Sequence, residues 1–470
     1  MLTYSLEHKN NRNLYEYFYE CIKNDIISGR LQPEEKLPSK RAFAANNGIS
    51  TVTVENTYGQ LMAEGYIYSR PKSGFYVARI TRPVPSEHSL PPQIPEMTKE
   101  GAEPRINLVS NHTAPASFPF SIWAKLTRQL LSEQDQKLLL SSPAGGVMEL
   151  RKAIARHLSD FRGISCQPEQ VIIGAGTEYL YGLIVQLLGR DRIYGLENPG
   201  SRKILHIYRA LGVKTVPLSL DDEGVALIPE NLTLPDILQI SPSHHFPTGI
   251  VTSASRRYGL LQWANEAEGR YIIEDDYDSE FRLLGKPIPS LYSMDTTDRV
   301  IYFNTFTKTL ASTIRISYMV LPRPLLLAFY EKLGFYSCTV SNFEQYALAR
   351  FIAEQYFEKH INRMRIYYKN LRDKLIRRLM QSSLASKVQI MEADAGLHFL
   401  LKIDTDLSDA QLKKNAGERG LTMAFLSDYY SPAYQDPEEK YLHTAIINYS
   451  GLLEEDIELL VEILETATKG

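Results

Sequence analysis

The sequence contains three short apolar runs that end in residues able to bind an anion or exchange protons. In the first, residues 171–173 lead into Gly174-Ala175-Gly176-Thr177, which predicts a buried strand, a glycine-rich turn and the start of a helix. Backbone N–H groups at such a helix start point towards an anion. By itself, a glycine-rich turn is more often only a turn.

The second and third runs supply side chains. Residues 271–273 are followed by carboxylates between Glu274 and Glu280, at the strand end where α/β sheets place their ligands. Residues 300–303 lead into hydroxyl side chains and Lys308, with Arg315 seven residues further on. Hydroxyl groups, an amine and a guanidinium this close together suit a phosphate. Each motif is weak alone, because an acidic loop is usually solvated or binds a metal and a lone lysine is usually a surface residue.

Residues 1–79 carry a different kind of surface chemistry. Apolar residues spaced by three or four predict a first helix ending at Gly29, and Ser39 and Ser50 are expected to cap two more helices. The third helix starts with short polar side chains that can reach base edges in a DNA major groove. Strand-like runs at 66–69 and 75–78 flank a basic turn, which predicts a hairpin, or wing. The alternative is a small three-helix domain with a solvated basic face.

The elements that position these residues divide the 470-residue chain into three parts. We predict a winged helix-turn-helix domain over 1–79, a linker with six prolines over 80–104, and an α/β domain over 105–470 with a small α+β subdomain from about 330. The formal net charge of −3 hides a net charge of +2 in residues 1–79. Three scattered cysteines and no apolar run of roughly 18–20 residues favour a cytoplasmic protein without a membrane span or metal site.

The N-terminal segment resembles the GntR family of winged-helix repressors. The resemblance is carried by Lys36-Leu37-Pro38-Ser39-Lys40-Arg41, by Ser50-Thr51-Val52-Thr53-Val54 and by Leu61-Met62-Ala63-Glu64-Gly65-Tyr66. It implies a double-stranded DNA operator as partner. The implied DNA contacts are Lys36, Lys40, Arg41, Ser50, Thr51, Thr53 and Lys72. One departure is Thr51, because the family often has an arginine there.

The remainder resembles the fold-type I aminotransferases, which bind pyridoxal 5′-phosphate (PLP), and is most similar to MocR-type regulators, which fuse a GntR domain to that fold. The most specific stretches are Pro242-Ser243-His244-His245-Phe246-Pro247-Thr248-Gly249 and residues 273–281. The resemblance implies that Lys308 forms an aldimine with PLP, that Asp275 pairs with the ring nitrogen and that Tyr277 contacts the ring 3-oxygen. The implied phosphate ligands are Gly176, Thr177, Thr305, Thr307 and Arg315.

Three positions depart from the aminotransferase pattern. Ser201 replaces the aromatic residue that stacks on the ring, and Phe246 replaces an asparagine that contacts the 3-oxygen. Gly451 aligns with the arginine that clamps a substrate carboxylate, a contact worth about 1.5–3 kcal/mol. The adjacent His244 and His245 are expected to have structural roles, since no third metal ligand lies at useful spacing.

These observations predict a PLP-responsive transcriptional regulator that controls vitamin B6 or amino-acid metabolism. The missing arginine favours PLP itself as effector, with an amino-acid adduct as the second choice. A working aminotransferase with an accessory DNA-binding domain, in which Lys308 would be catalytic, is the alternative, and a regulator that has lost PLP binding is a third. The resemblance also implies a head-to-tail homodimer.

Overall fold

The structure is a computed structural model that describes residues 2–6, 12–80, 104–110, 113, 118–226, 235–283, 288–394, 396–431 and 441–469. The chain divides into two compact units, Met1–Gly101 and Ala102–Gly470. Residues 81–103, which include nearly all of the predicted linker, lie outside the described residues.

The N-terminal unit contains three helices followed by a hairpin. Its elements are α1 (Leu14–Ser28), α2 (Lys40–Asn47), α3 (Thr51–Ala63), β1 (Ile67–Arg70) and β2 (Gly74–Val77). The predicted caps are confirmed: the Ser39 hydroxyl accepts from the Ala42 N–H, and the Ser50 hydroxyl accepts from the Thr53 N–H. Gly29 ends α1 in the left-handed conformation with φ of 78°.

Aromatic side chains fill the core of this unit. The rings of Phe18 and Phe43 meet edge to face at 5.6 Å, and Tyr58 from α3 packs against Phe43. In α3, the side chains of Val54, Tyr58 and Leu61 are buried, whereas Met62 is half-buried. Because these residues pack α3 onto α1 and α2, the first turn of α3 is presented on the surface.

The C-terminal unit is built around an eight-stranded sheet of order β4-β11-β10-β9-β8-β5-β6-β7. The strands from β10 through β6 are parallel to one another, while β11 runs antiparallel between β4 and β10. The bounds are β3 (Ile106–Asn107), β4 (Val171–Gly174), β5 (Ile193–Asn198), β6 (Lys214–Asp221), β7 (Gly224–Val225), β8 (Ile237–Ile240), β9 (Tyr271–Asp275), β10 (Val300–Thr305) and β11 (Ser317–Val320).

Helices pack around this sheet, and its strands β4, β9 and β10 are buried throughout their length and mostly apolar. These helices are α4 (Phe120–Ser132), α5 (Met148–Arg162), α6 (Thr177–Leu188), α7 (Arg202–Ala210), α8 (Ala254–Asn265), α9 (Leu291–Met294), α10 (Arg323–Leu333) and α11 (Asn342–Ala353). The parallel order brings the ends of β4, β5, β9 and β10, and the loops that follow them, to one side of the unit. The predicted strands at 171, 271 and 300 are confirmed as β4, β9 and β10.

The last part of the chain forms a second, antiparallel sheet of order β12-β13-β16-β15. Its elements are α12 (Tyr356–Met380), β12 (Val388–Met391), β13 (His398–Ile403), α13 (Asp409–Gly417), β14 (Leu421–Thr422), β15 (Ala424–Phe425), β16 (Thr444–Asn448) and α14 (Ile457–Ala467). Strand β14 pairs with β3. Among the described residues, no helix is both long and apolar enough to cross a membrane.

Candidate functional site

A cavity of about 760 Å³ opens at the carboxyl ends of the parallel strands. Its lining runs in sequence from Ser110 to Asn448, and the predicted cofactor residues in it extend over 138 positions, from Thr177 to Arg315. Of the predicted cofactor residues, those that line it are Thr177, Asp275, Tyr277, Thr305, Thr307, Lys308 and Arg315. Gly176, the eighth, immediately precedes Thr177 at the start of α6.

One end of the cavity collects groups that suit a phosphate. Gly176 has φ of +90°, and a Cβ atom there would lie 2.5 Å from Arg315 Nη2, so only glycine lets the guanidinium approach the start of α6. Thr305 donates a 2.9 Å hydrogen bond to Thr307. Arg315 also lies 3.3 Å from Glu178, which forms a second ion pair with Lys203. This end therefore combines backbone donors, hydroxyls and a guanidinium, the groups that bind a dianion.

Asp275, at the end of β9, offers a buried carboxylate to the cavity. Its Oδ2 accepts a 2.8 Å hydrogen bond from the Tyr181 hydroxyl, whereas Oδ1 has no partner among the described residues. Burial raises the pKa of Asp275 to about 6. A buried, unpaired acceptor costs free energy until a donor arrives, and the protonated ring nitrogen of PLP is such a donor. The site thus fits the ring of this cofactor at Asp275.

Lys308 follows β10 and lines the same cavity. Desolvation lowers its pKa to about 8, although the nearby carboxylate of Asp278 opposes the change. A larger fraction of the amine is therefore neutral near pH 7 than for a solvated lysine. A neutral amine can attack an aldehyde, whereas an ammonium group cannot.

Tyr277 contacts a buried histidine behind the cavity wall. Its hydroxyl lies 3.3 Å from His244 Nδ1, and the same nitrogen lies 2.8 Å from Asp278 Oδ2. The neighbouring His245 bonds through Nδ1 to the Thr248 hydroxyl at 2.7 Å, which is a structural contact. Sequence reasoning treated the two histidines alike and missed that His244 lies against the site.

Of the other carboxylates of the 274–280 cluster, Asp278 also lines the cavity, whereas Glu274, Asp276 and Glu280 support the site from outside its lining. Glu274 accepts hydrogen bonds from the backbone N–H groups of Leu291 and Tyr292, and Asp276 forms a fully buried 2.8 Å ion pair with Arg162. Burial raises the pKa of Glu280 to about 7. The cluster is therefore buried rather than solvated, and among the described residues no group of three or more side chains is arranged to hold a metal ion.

The three positions that depart from the aminotransferase pattern have local explanations. Ser201 caps α7 by accepting from the Ile204 N–H. Phe246 lines the cavity and packs against the ring of Tyr429 at 5.2 Å. Gly451 is exposed and is not among the residues that line the cavity.

Two arginines that sequence reasoning missed do line the cavity. Arg202 and Arg209 reach it from α7, and both are exposed. The cavity wall therefore carries guanidinium groups that could meet a carboxylate, although position 451 is a glycine. The sequence shows that α7 is basic, but only the fold determines that this helix borders the cavity.

In the N-terminal unit, the predicted DNA contacts lie before and on α2, at the start of α3 and in the hairpin turn. Exposed members are Lys36, Arg41, Ser50, Thr51 and Lys72, and half-buried members are Lys40 and Thr53. Two of them already have intramolecular roles: Ser50 caps α3, and Lys40 lies 2.6 Å from Glu55. Lys72 occupies the hairpin turn with φ of 58°.

Two family models match the chain. "Bacterial regulatory proteins, gntR family" matches residues 14–77, and "Aminotransferase class I and II" matches residues 104–425. The second match alone covers more than half of the chain.

Similar proteins include several regulators. The chain is 36% identical to the uncharacterized HTH-type transcriptional regulator YhdI of Bacillus subtilis, over 99% of this chain and 98% of that protein. It is 32% identical to the probable rhizopine catabolism regulatory protein MocR of Rhizobium meliloti, over 93% and 90%. It is 30% identical to the HTH-type pyridoxine biosynthesis transcriptional regulator PdxR of Corynebacterium glutamicum, over 87% of each.

Solved aminotransferase structures share the fold of the C-terminal unit. An archaeal alanine:glyoxylate aminotransferase superposes with a TM-score of 0.69 at 22% identity, covering 80% of this chain and 93% of that one. Pyrococcus horikoshii kynurenine aminotransferase gives 0.67 at 24% identity, covering 77% and 90%. At these identities the likeness shows the fold alone.

Proposed function

This chain belongs to the MocR-type regulators of the GntR family, and from that premise we propose that it binds DNA through its N-terminal unit and PLP through Lys308 in its C-terminal unit. PLP then acts as effector or as the cofactor through which an effector is sensed. The single observation that carries the proposal is the buried Oδ1 of Asp275, which has no hydrogen-bond partner within the described part of the chain and lies in the cavity that contains Lys308.

The residues proposed to hold PLP each have a distinct task. Asp275 would hold the ring nitrogen, Tyr277 the 3-oxygen and Lys308 the aldehyde carbon. The phosphate would be held by Gly176, Thr177, Thr305, Thr307 and Arg315. When bound, PLP supplies an electrophilic carbon and a ring that can accept electrons. The retention of all these groups argues against the reading in which PLP binding has been lost.

Two kinds of effector are supported, each by a different observation. PLP itself is favoured by the regulators to which the chain is similar, one of which is named for pyridoxine biosynthesis. An amino-acid effector is supported by the size of the cavity, about 760 Å³, and by Arg202 and Arg209 on its wall. A guanidinium pairs well with a carboxylate, so these two arginines are the candidates to recognise one.

A working aminotransferase is the second candidate function. Lys308 would be the catalytic residue, and the depression of its pKa to about 8 favours that role. Against it, Ser201 leaves one face of the ring without an aromatic partner, and transamination requires a substrate held closely against the ring. We therefore propose regulation rather than turnover as the function.

A homodimer is also proposed, in the head-to-tail arrangement implied by the family. Large apolar side chains on the C-terminal unit support a partner chain, since Leu139 is 81% exposed and Phe335 is 77% exposed. Sedimentation analysis of the full chain should give a dimer, and Phe335→Asp should weaken it. A monomer at micromolar concentration would contradict the proposal. Two winged helices would then require a repeated or palindromic operator.

The PLP proposal is tested by titrating the protein with PLP and recording its visible absorbance. A saturable band should appear, and Lys308→Ala should abolish it because no amine remains to bind the aldehyde carbon. Lys369→Ala, an exposed lysine on α12, is the matched control and should keep the band. Addition of amino acids separates the functions: conversion of PLP to pyridoxamine phosphate would favour the enzyme. If the unaltered protein gives no band when PLP is added, the proposal is refuted.

A further inference from the structure

A buried pair, His244 and Asp278, lies directly behind Tyr277, and the proposed function does not use it. The two side chains are only 3% and 5% exposed. His244 Nδ1 lies 2.8 Å from Asp278 Oδ2 and 3.3 Å from the Tyr277 hydroxyl. One nitrogen atom therefore faces two candidate partners.

The hydrogen-bonding capacity of imidazole decides between them. A ring nitrogen that carries a proton can only donate, and one that lacks it can only accept. The carboxylate of Asp278 can only accept, it is the nearer group, and bonds to a charged acceptor are the stronger kind. Nδ1 of His244 therefore carries a proton and donates it to Asp278. It follows that the Tyr277 hydroxyl cannot donate to Nδ1, so its proton stays available to an acceptor in the cavity.

The surroundings hold this arrangement in place. Gly396 has φ of +68°, and a Cβ atom there would overlap the imidazole of His244 and the carboxylate of Asp278. The ring of His398 packs on His244 with centroids 4.6 Å apart, and His398 Nε2 donates to the Pro247 carbonyl. Burial and neighbouring carboxylates keep the pKa of Tyr277 well above its usual value, so its hydroxyl remains a donor.

We infer that Asp278 and His244 form a positioning pair: Asp278 fixes the proton on His244 Nδ1 and thereby keeps the Tyr277 hydroxyl directed at the 3-oxygen of PLP. This inference rests on the proposed function, because that oxygen is the acceptor. Neither member of the pair is assigned contact with the cofactor. Its effect is indirect, through the direction of one hydroxyl proton.

Other charged or titratable groups face the same pair from the surrounding elements. They add charge effects that do not pass through the Tyr277 hydroxyl. These groups are Lys308 and His398 from the cavity, Arg162 and Arg282 from the opposite side, Glu392 after β12, Asp275 at the end of β9, and His245 next to His244. A test must therefore separate proton direction from charge.

Two substitutions at Asp278 make that separation. Asp278→Asn removes the charge but leaves an amide oxygen that can still accept from Nδ1. Asp278→Leu also removes the charge, but it leaves no acceptor for Nδ1 at position 278. The Tyr277 hydroxyl is then the remaining partner of His244 Nδ1. We expect Nδ1 to accept from that hydroxyl and draw it away from the cavity. The readout is the pH midpoint at which the visible band of the PLP-loaded full chain changes.

The expected result is a difference between the two variants that depends on Tyr277. A donor to the 3-oxygen stabilises its anion, so losing that donor raises the midpoint. Asp278→Leu should therefore give a midpoint about one pH unit above that of Asp278→Asn. Combined with Tyr277→Phe, the same two substitutions should give equal midpoints. If the two Asp278 variants still differ in midpoint when Tyr277 is phenylalanine, the inference is overturned. Equal midpoints of the two variants in the presence of the Tyr277 hydroxyl would also overturn it.

If Asp278→Leu fails to fold, a second pair of substitutions, at His244, tests the inference. His244→Leu leaves Asp278 without its donor, so the carboxylate should attract the Tyr277 hydroxyl and raise the midpoint. His244→Gln supplies an amide N–H to Asp278 and should restore a midpoint near that of the unaltered protein. If His244→Gln and His244→Leu behave alike, the pair does not act through proton direction. Absence of any visible band in the unaltered protein would instead refute the proposed function.

Discussion

Replacing Asp275 with asparagine should stabilise the cofactor-free protein while weakening PLP binding. In the folded state, burial raises the pKa of this carboxyl from its usual 3.8 to about 6. At pH 7 the Asp275 carboxyl is ionised in both states, but its ionisation is less favourable in the folded protein than in the unfolded chain. A rise of this size in the pKa lowers the free energy of unfolding at pH 7 by about 3 kcal/mol. Asparagine removes that cost and can still accept from the Tyr181 hydroxyl.

The stability gained by Asp275→Asn depends on pH. Above about pH 6, the carboxyl is ionised in both states, and the full cost applies. As the pH falls from about 6 towards 4, the folded state is protonated first, and the cost shrinks to zero once the unfolded chain is protonated too. The gain from Asp275→Asn in the free energy of unfolding should therefore be up to about 3 kcal/mol at pH 7 and near zero below about pH 4.

Urea unfolding followed by tryptophan fluorescence measures this gain. Both tryptophans, Trp123 and Trp263, belong to the C-terminal unit, so the signal reports on the part of the chain that contains the site. Asp404→Asn, at an exposed carboxylate of the same unit, is the matched control and should change stability by less than about 0.5 kcal/mol. A variant at Asp275 that is less stable than the unaltered protein at pH 7 would refute the reasoning.

Binding should change in the opposite direction. An amide at position 275 has no charge to pair with the protonated ring nitrogen, and the lost charge-assisted hydrogen bond corresponds to about a 10- to 100-fold weaker Kd for PLP. Absorbance titration gives this value. An affinity within about twofold of the unaltered protein would remove Asp275 from the cofactor site.

Three further outcomes are expected. Arg41→Ala should weaken binding to DNA from upstream of its own gene, and gel shifts at several salt concentrations should show a salt slope reduced by about 1; an unchanged slope would exclude a phosphate contact. Gly176→Ala should weaken PLP binding by at least about 10-fold in the absorbance titration, because its Cβ meets the Arg315 guanidinium, and unchanged affinity would contradict that packing. Arg162→Met should lower the free energy of unfolding by about 3–5 kcal/mol in urea, since Asp276 is left buried without its cation, and a further Asp276→Leu should recover part of the loss.

Features fixed by local chemistry were predictable from the sequence. The starts of α2 and α3 follow from Ser39 and Ser50, because a capping hydroxyl bonds to an N–H only three residues away. The strand ends that carry Asp275 and Lys308 followed from short apolar runs. Sequence resemblance then supplied a common site for them, and the sheet order brings them to one cavity.

Features fixed by distant partners were not predictable. The carboxylates of Glu274 and Asp276 looked equivalent to Asp275 in sequence, yet their partners are the Leu291 N–H and the Arg162 guanidinium, which only the fold brings near. Arg202 was missed for the same reason. Its approach to the cavity depends on the placement of α7, and periodicity within one helix contains no such information.

The ion pair between Glu178 and Arg315 bears on how much PLP the protein needs before it responds. Until a phosphate arrives, the carboxylate of Glu178 is an anion already paired with this guanidinium. An incoming dianion must compete with it, so the fixed carboxylate lowers the affinity below what the same guanidinium alone would provide. Under the proposed function, such weakening raises the PLP concentration at which half of the sites are filled. Glu178 would then act as a built-in competitor for the phosphate.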